Sequence, residues 1–336
     1  MKISASLYSS NLQDLPSLVH ELDALQLDFF HLDCFEGQEQ KVSRDIRAIQ
    51  QISNTPIDLH VIGANYSSFF DMAQNLNVSQ LTLQYENLPE HISFPADRLY
   101  NLGLAIVNDT SLEVLDKVKD SIDYVLLMTT TPGKSGGKFE KTSFDRIRKC
   151  KQMYPNLPIY VDGGINAEVS FILRLLGVRQ AVSGSFLVNH QNIAKALADL
   201  RFHQQGSAFQ IKDFLLEARH LPVLNPSTCT VKDVILTMDE CKLGFVLFEE
   251  GGGFVGICSN ADLRKGILKY LDSPNDMKVR DMINYHPIVI QDESTTDEML
   301  SLVKRYDFPI LFLPVVGQDG VLKGVVLFNE LIKGEG

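Results

Sequence analysis

The sequence lacks the features that mark membrane-embedded and secreted proteins. No apolar run approaches the roughly 18 residues that cross a bilayer, so we expect no membrane span. The amino terminus has no apolar core of the kind found in secretory signals. The 5 cysteines include no C-x-x-C pair, which is typical of reduced thiols inside a cell. We therefore expect a cytoplasmic location.

Basic residues are fewer than acidic residues. The chain carries 31 Lys and Arg against 42 Asp and Glu, a net charge of −11, which disfavours nucleic acid as a partner. Its 336 residues exceed what one hydrophobic core usually organises, and its composition is that of an ordinary globular protein. We therefore expect two domains.

The first part of the chain alternates short apolar runs with longer amphipathic ones. Stretches such as "LPSLVHELDALQ" (15–26) and "SLEVLDKVKDS" (111–121) predict helices. The alternation predicts an α/β fold, a (β/α)8 TIM barrel. An open doubly wound sheet is the alternative, but no G-x-G-x-x-G follows the first strand. The runs that predict strands are "ISASLY" (3–8), "FFHLDC" (29–34), "IDLHVI" (57–62), "LTLQY" (81–85), "LGLAIV" (102–107), "YVLLMT" (124–129), "IYVDG" (159–163) and "AVSGS" (181–185).

The last part of the chain repeats itself. "GICSNADLRKG" (256–266) aligns without gaps with "GVVLFNELIKG" (324–334). In the same way, "PVLNPSTCTVKDVI" (222–235) matches "PIVIQDESTTDEML" (287–300). Two copies of one β-α-β-β-α unit are predicted. We divide the chain into a barrel (1–200), a polar linker (201–217) and two repeat units (218–272 and 278–334).

Four side chains that can bind a metal ion lie near the ends of predicted barrel strands. His31 and Asp33 lie on the second strand, His60 on the third and Asp162 on the seventh. Two imidazoles and two carboxylates suit Zn²⁺, Fe²⁺ or Mn²⁺ better than Ca²⁺ or Mg²⁺. Taken singly, His60 could be a core histidine, and His31 with Asp33 a buried ion pair. The four together favour a metal site, because unpaired buried charges are costly and TIM barrels gather catalytic groups at the carboxyl ends of their strands.

Glycine-containing turns follow the last two predicted strands, in "VDGGIN" (161–166) and "VSGSFL" (182–187). TIM barrels often bind phosphate at this place through backbone N–H groups. Tight turns that need glycine are the alternative explanation. After the sixth strand, "TTTPGKSGGKF" (129–139) has the small residues of a mobile lid.

These motifs, in this order, resemble the ribulose-phosphate 3-epimerase family over residues 1 to about 200. "ASLYSSN" (5–11) is similar to the first-strand serine motif, and "HLDCFEG" (31–37) to H-x-D-x-x-D-G. "DLHVI" (58–62) resembles D-x-H-L-M, and "VLLMTTTPGKSGGKF" (125–139) resembles V-L-L-M-x-x-x-P-G. "VDGGIN" and "SGS" (183–185) complete the series. The resemblance implies an isomerase that inverts C3 of a ketose phosphate.

Carried over by position, the resemblance also implies site residues. One divalent metal would be held by His31, Asp33, His60 and Asp162. Asp33 and Asp162 would act as acid and base on opposite faces of ribulose 5-phosphate, xylulose 5-phosphate or a related sugar phosphate. Substrate and its phosphate would be contacted by Ser6, Met128, Gly136, Gly163, Gly164, Gly184 and Ser185.

The sequence departs from the family pattern at the pocket walls. Phe35 and Ile62 stand where the family has methionine, Gln84 where it has histidine, and Lys134 where its lid has phenylalanine. The implied ligands are unchanged, so we expect the same reaction on a ketose phosphate that the sequence does not specify. Two other functions stay open: a non-catalytic sensor that binds a sugar phosphate, and an aldolase or isomerase. An aldolase or isomerase of this kind would need a Schiff-base lysine, for which Lys134 is the nearest candidate.

The repeated region, residues 218 to 334, resembles a tandem pair of CBS (cystathionine-β-synthase-like) domains of α+β fold. In "GICSNADLRKG", Ser259 would face a phosphate or ribose hydroxyl, and Asp262 would accept hydrogen bonds from a ribose. Leu327 and Glu330 stand at these positions in the second copy. The resemblance implies an adenine-nucleotide site and a homodimer or larger assembly. A dimerisation module in which Asp262 only caps a helix is the alternative.

Overall fold

The computed structural model describes residues 1–90, 92–95, 97–133, 136–202 and 208–328. These residues form two compact units, one within 1–202 and the other within 208–328. Lys134 and Glu330, which the sequence singled out, lie outside the described residues. In the part of the chain that is described, no helix is both long and apolar enough to cross a membrane.

A closed barrel of eight parallel strands forms the first unit, with each strand paired to the next and the last paired to the first. All eight predicted strands are present, so the TIM barrel is confirmed and the open sheet is excluded. Strands buried on both faces explain why the sequence shows nearly continuous apolar runs. The strands are β1 (Lys2–Ser6), β2 (Phe29–Phe35), β3 (Ile57–Ile62), β4 (Gln80–Gln84), β5 (Asn101–Val107), β6 (Tyr124–Met128), β7 (Ile159–Asp162) and β8 (Gln180–Ser183).

Helices of varied length connect the strands. They are α1 (Leu15–Ala24), α2 (Glu39–Ile52), α3 (Ser67–Asn75), α4 (Thr142–Met153), α5 (Ala167–Leu175), α6 (Ser185–Val188) and α7 (Ile193–Phe202). The first predicted helix is confirmed as α1, which Asp14 caps by accepting from the Ser17 N–H. The helix predicted over 111–121 forms only a 3-10 helix, Leu112–Lys117. Its valines and aspartates are weak α-helix formers, and Ser111 caps the tighter turn instead.

Polar and aromatic side chains fill the amino-terminal side of the barrel interior. Gln80 on β4 and Gln180 on β8 exchange two amide hydrogen bonds of 3.1 and 2.8 Å. Tyr124 stacks on Tyr160 at 4.1 Å between ring centroids. Gly103 has to be glycine, because the Tyr124 ring occupies the space that a Cβ would need. This filling closes one end of the barrel and leaves the carboxyl ends of the strands for a site.

The second unit contains two small sheets, in the orders β10-β11-β12 and β13-β14-β15-β9. Its strands are β9 (Leu216–Glu217), β10 (Val223–Leu224), β11 (Phe245–Glu250), β12 (Gly253–Ser259), β13 (Ile290–Gln291), β14 (Phe312–Val316) and β15 (Leu322–Leu327). Its helices are α8 (Val231–Cys241), α9 (Asn260–Lys269) and α10 (Thr296–Val303). The repeat is also visible in the helix caps. Thr230 caps α8 and Thr295 caps α10, and each forms a capping box with the acidic residue three positions later.

Part of the predicted linker belongs to this second unit. Ile211 is fully buried, and its N–H donates to the Ser294 carbonyl at 2.8 Å. Leu216 pairs with Val325 in the sheet ladder. The chain therefore enters the second unit before residue 218, where the sequence set the start of the first repeat. The other domain boundaries stay a prediction.

Candidate active site

Two complementary motifs meet on neighbouring strands of the barrel. β2 carries His31 and Asp33, β3 carries Asp58 and His60, and the ladder sets His31 beside Asp58 and Asp33 beside His60. His31 Nδ1 lies 2.9 Å from Asp58 Oδ2, and His60 Nδ1 lies 3.1 Å from Asp33 Oδ1. Since strand side chains alternate, all four share the inner surface of the barrel. Each buried imidazole thus faces a carboxylate of the adjacent strand.

The two histidines of these pairs also belong to a cluster of metal-binding side chains. His31, His60 and Asp162 bring one ligand atom each within 4.8 Å of one another. The fourth predicted ligand, Asp33, touches both histidines, with its Oδ1 3.4 Å from His31 Nε2. That Nε2 is buried and has no hydrogen-bond partner among the described residues. An unpartnered ring nitrogen among carboxylate oxygens fits a divalent cation that accepts nitrogen and oxygen ligands.

Asp58 determines which nitrogen of His31 faces this cluster. A carboxylate only accepts, so the ring proton lies on Nδ1 and the lone pair of a neutral His31 lies on Nε2. Asp58 also accepts from Ser4 Oγ at 3.1 Å and from Gln180 Nε2 at 3.2 Å. Sequence reasoning missed these supporting residues. The signal for Asp58 was present in the D-x-H spacing on β3, which reverses the H-x-D of β2.

The pKa values of the two aspartates move in opposite directions. Burial raises the pKa of Asp33, but the close imidazoles of His31 and His60 outweigh it and hold that pKa far below its usual range. Burial raises the pKa of Asp162 to about 6, the nearby Asp33 charge adds to the rise, and the two histidines oppose it. Both aspartates keep some accessible surface, as groups that meet a substrate must.

The carboxylates around His31 favour the protonated form of its imidazole. Burial lowers the pKa of the imidazole, but the charges of and hydrogen bonds to Asp58 and Asp33 raise it well above its usual value. A cation bound at this nitrogen has to displace that proton. Metal binding at the cluster is therefore coupled to proton release.

The predicted substrate contacts Ser6 and Met128 lie next to these groups. Ser6 pairs with His31 in the ladder, and Met128 pairs with Asp162. The Ser6 and Ser9 hydroxyls lie 2.9 Å apart. Phe35 ends β2 and is 36% exposed, and a Cβ on Gly133 would overlap its ring. Gly133 of the predicted lid therefore lies against Phe35.

The glycine turns after β7 and β8 expose backbone donors. The N–H groups of Gly163, Gly164, Gly184 and Ser185 donate to no acceptor within the described residues. Gly163 and Gly164 adopt φ of 115° and 65°, and a Cβ on Gly164 would collide with the backbone of Phe139. Gly136, with φ of 82°, has open space around it. Tight turns and free amides thus occur together at this place.

In the second unit, Ser259 and Asp262 cap helix α9. Ser259 Oγ accepts from the Asp262 N–H at 3.2 Å, and Asp262 Oδ2 accepts from the Ser259 N–H at 3.1 Å. Thr230 and Asp233 form the same capping box on α8. The capping role that the sequence left open is therefore present, and the nucleotide role stays a prediction.

Comparison with known proteins assigns both regions. The "Ribulose-phosphate 3 epimerase family" sequence model matches residues 2–188, and the "CBS domain" model matches residues 279–334. A ribulose-phosphate 3-epimerase of Methanocaldococcus jannaschii is 25% identical over 65% of this chain and 96% of its own length. One of Helicobacter pylori is 28% identical over 62% of this chain and 100% of its own length.

Solved CBS structures overlap with a smaller part of the chain. CBSX2 in complex with AMP covers 38% of this chain and 97% of its own, with 21% identity and a TM-score of 0.32. A CBS domain protein from Streptococcus pneumoniae covers 36% and 83%, with 22% identity and a TM-score of 0.31. The C-terminal assignment rests on the match of the CBS domain sequence model. Because the epimerase match spans more than half of the chain, the chain belongs to the ribulose-phosphate 3-epimerase family of isomerases and carries a CBS domain in its C-terminal region.

Proposed function

We propose that this protein is a metal-dependent epimerase that inverts C3 of a ketose phosphate. Ribulose 5-phosphate and xylulose 5-phosphate, or a closely related pair, are the proposed substrates. The observation that carries this proposal is the geometry of the cluster, in which Asp33 contacts both buried histidines and Asp162 brings a carboxylate oxygen within 4.8 Å of their ring nitrogens. Inversion at carbon needs one group to remove a proton and another to return one on the opposite face. Oppositely perturbed carboxyls meet that need.

The two aspartates divide the proton transfer. Asp33 is ionised and takes the C3 proton from one face of the sugar. Asp162, whose pKa burial raises, returns a proton to the other face. Their roles exchange in the reverse direction, so the same site serves both epimers.

His31, Asp33, His60 and Asp162 are the proposed metal ligands, with His31 using Nε2. When bound, a Zn²⁺, Fe²⁺ or Mn²⁺ ion would stabilise the negative charge that develops on the substrate oxygens. Asp58 holds the Nδ1 proton of His31 and so directs the Nε2 lone pair towards the ligand cluster. This support explains why a barrel interior carries a buried aspartate at that position.

The free amides after β7 and β8 are the proposed phosphate site. Gly163, Gly164, Gly184 and Ser185 offer N–H groups without protein acceptors among the described residues, and Gly136 lies in the adjoining lid. Ser6 and Met128 flank the ligand cluster and would contact the sugar. Binding the phosphate at a fixed place orients C3 between the carboxyls, which lowers the entropy cost of the reaction.

We further propose that the C-terminal region binds an adenine nucleotide through Ser259 and Asp262 and joins two copies of the chain. Apolar side chains of α8 and α9 support an assembly, because four of them are 40% exposed or more: Ile235, Leu236, Ile267 and Leu268. Sedimentation velocity should show a dimer or larger species that Leu268→Lys shifts towards monomer. A wild-type monomer at micromolar concentration would contradict the assembly.

The proposed reaction is tested by incubating the protein in D₂O with a panel of ketose phosphates. Deuterium should enter at C3 of one epimeric pair, and chelation followed by addition of Zn²⁺, Fe²⁺ or Mn²⁺ should abolish and restore it. Incorporation that survives exhaustive chelation would refute the metal. No incorporation into any metal-supplemented substrate would refute the epimerase and favour a non-catalytic binder.

A further inference from the structure

Gln84, at the end of β4, joins His60 to the acidic residue that follows it. Its side chain is 2% exposed. Its Oε1 lies 2.9 Å from His60 Nε2. Its Nε2 donates to Glu86 Oε2 and, at 3.4 Å, towards the carbonyl oxygen of Ala105. Among the described residues, Gln84 is therefore the only hydrogen-bond partner of His60 Nε2. The sequence identifies Gln84 only as a departure from the family pattern.

Glu86 fixes the orientation of the Gln84 amide. A carboxylate offers acceptors and no donor, so only the amino group of Gln84 can face it. The other oxygen of Glu86 is engaged as well, since it accepts from the Val107 N–H at 3.0 Å and from the Thr110 hydroxyl. Glu86 is thus held in place by the β5 loop. The amide oxygen of Gln84 is left pointing at His60.

The orientation of the Gln84 amide determines which ring nitrogen of His60 carries a proton. An amide oxygen only accepts, so His60 Nε2 has to carry a proton. Nδ1 faces the Asp33 carboxylate at 3.1 Å, which also only accepts. Because Gln84 keeps the proton on Nε2, a cation has to take the place of any proton on Nδ1 and use the lone pair there. His31 shows the opposite arrangement, because its Nδ1–H donates a hydrogen bond to Asp58. The two histidines therefore present different nitrogens to one cluster.

We propose that Gln84 is a positioning residue that fixes His60 as the Nε2–H tautomer, with Glu86 setting the orientation of Gln84. Nδ1 of His60 is then kept for a cation between His31, Asp33 and Asp162. The inference rests on the proposed function in one respect, that the cluster binds a divalent ion. It adds a chain of contacts, from the β5 loop through Glu86 and Gln84, that prepares the ligand before the ion arrives. Partners of this kind typically change metal affinity by about 10- to 100-fold.

Two variants test the chain of contacts. Gln84→Met keeps the shape of the side chain and removes the acceptor, which leaves the His60 N–H unpaired. Glu86→Gln opposes the Gln84 amino group with a second amino group, so Gln84 should turn over and present its own amino group to His60. Thr82→Val is the matched control. Thr82 lies beside His60 in the strand ladder and its hydroxyl bonds to Tyr124 on β6, so the change removes a buried hydrogen bond of β4 and leaves the contacts of Gln84 and Glu86 in place.

The affinity of each protein for Zn²⁺ is measured by competition with a fluorescent chelator. Long-range ¹H–¹⁵N spectra of the zinc-loaded proteins report which ring nitrogens carry protons. We expect wild-type His60 protonated on Nε2 and His31 on Nδ1, about 10- to 100-fold weaker zinc binding in the two Gln84-chain variants, and wild-type affinity in Thr82→Val.

Each other outcome has a distinct meaning. A zinc-loaded wild type with His60 protonated on Nδ1, or folded Gln84→Met and Glu86→Gln proteins with wild-type zinc affinity, would overturn the inference and leave the metal site standing. A wild-type protein that binds no zinc would overturn the metal site itself and the inference with it. Circular dichroism melts identify a variant that fails to fold, in which case the other variant and the wild-type spectrum decide.

Discussion

His31 Nδ1 and Asp58 Oδ2 lie 2.9 Å apart, and this contact connects the closed end of the barrel to the candidate metal site. Asp58 is 3% exposed and also accepts from Ser4 and Gln180. A residue outside the predicted ligand set thus determines how a proposed ligand is aligned. The polar interior is a support for the site as well as a part of the core.

Asp58→Asn should weaken zinc binding by about 10- to 100-fold, because the neutral amide makes His31 a poorer electron donor and can turn its amino group towards the ring. The measurement is chelator competition at fixed pH. Asp116→Asn is the control, since Asp116 forms a surface ion pair with Lys119 at 3.2 Å away from the site. Equal zinc affinity of Asp58→Asn and wild type would show that His31 does not depend on this contact.

The stability of the metal-free protein should fall as pH rises between 5 and 7, through Asp162. Its folded pKa of about 6 exceeds the usual 3.8, so the folded state binds the proton more tightly than the unfolded state. Stability from this group is full below the unfolded pKa and is lost as pH rises through the folded pKa. Relative to Asp162→Asn, wild type should lose about 1 kcal/mol of unfolding free energy over this range.

Urea unfolding of the two proteins in chelating buffer at pH 5 and 7 provides the measurement. Zinc should act in the opposite sense, with affinity that rises with pH, because His31 and Asp162 must release protons to bind it. A difference between wild type and Asp162→Asn that stays constant from pH 5 to 7 would rule out the raised pKa.

Gly184→Ala should weaken phosphate binding several-fold. A Cβ at this position would lie 2.7 Å from Ser9 Oγ and 3.2 Å from Ser9 Cβ, so either Ser9 or the turn that presents the Gly184 and Ser185 amides has to shift. The inhibition constant of inorganic phosphate and KM for the ketose phosphate should both rise, while kcat falls less. Gly253→Ala is the control, because its Cβ would meet nothing closer than 3.8 Å. An unchanged phosphate inhibition constant in Gly184→Ala would place the phosphate elsewhere.

Asp262→Ala and Asp233→Ala should separate nucleotide binding from helix capping. Each removes the acid of a capping box, so each should lower the stability of the protein to a similar extent. Only Asp262→Ala should weaken the binding of AMP or ATP in calorimetric titration. If both variants bind nucleotide with equal heats and affinity, Asp262 is a cap alone.

The strands of the barrel were predictable because each is buried on both faces and reads as an apolar run. The ligand candidates were predictable for a related reason: His31, Asp33 and His60 interrupt such runs with groups that are costly to bury. Their mutual arrangement was not predictable, since it depends on the register that sets β2 against β3. A shift of one residue would turn every side chain to the other face.

The supporting network escaped the sequence for a different reason. Gln180 reaches Asp58 across 122 positions of the chain, and Gln80 reaches Gln180 across 100. Such contacts follow from barrel closure, which brings opposite walls together, and no local pattern encodes them. The short 3-10 helix at Leu112–Lys117 shows the converse, because an amphipathic pattern predicted an α-helix that weak helix formers did not sustain.

The central claim is that two carboxyls on opposite faces of one carbon exchange its proton. The most direct measurement follows C3 deuterium exchange by NMR from each pure epimer, for wild type, Asp33→Asn and Asp162→Asn, with metal supplied. We expect wild type to exchange both epimers, and both variants to lose epimerisation while each keeps exchange with at most one epimer, a different one for each variant. Exchange of both epimers at the wild-type rate in either variant would contradict the two-carboxyl mechanism.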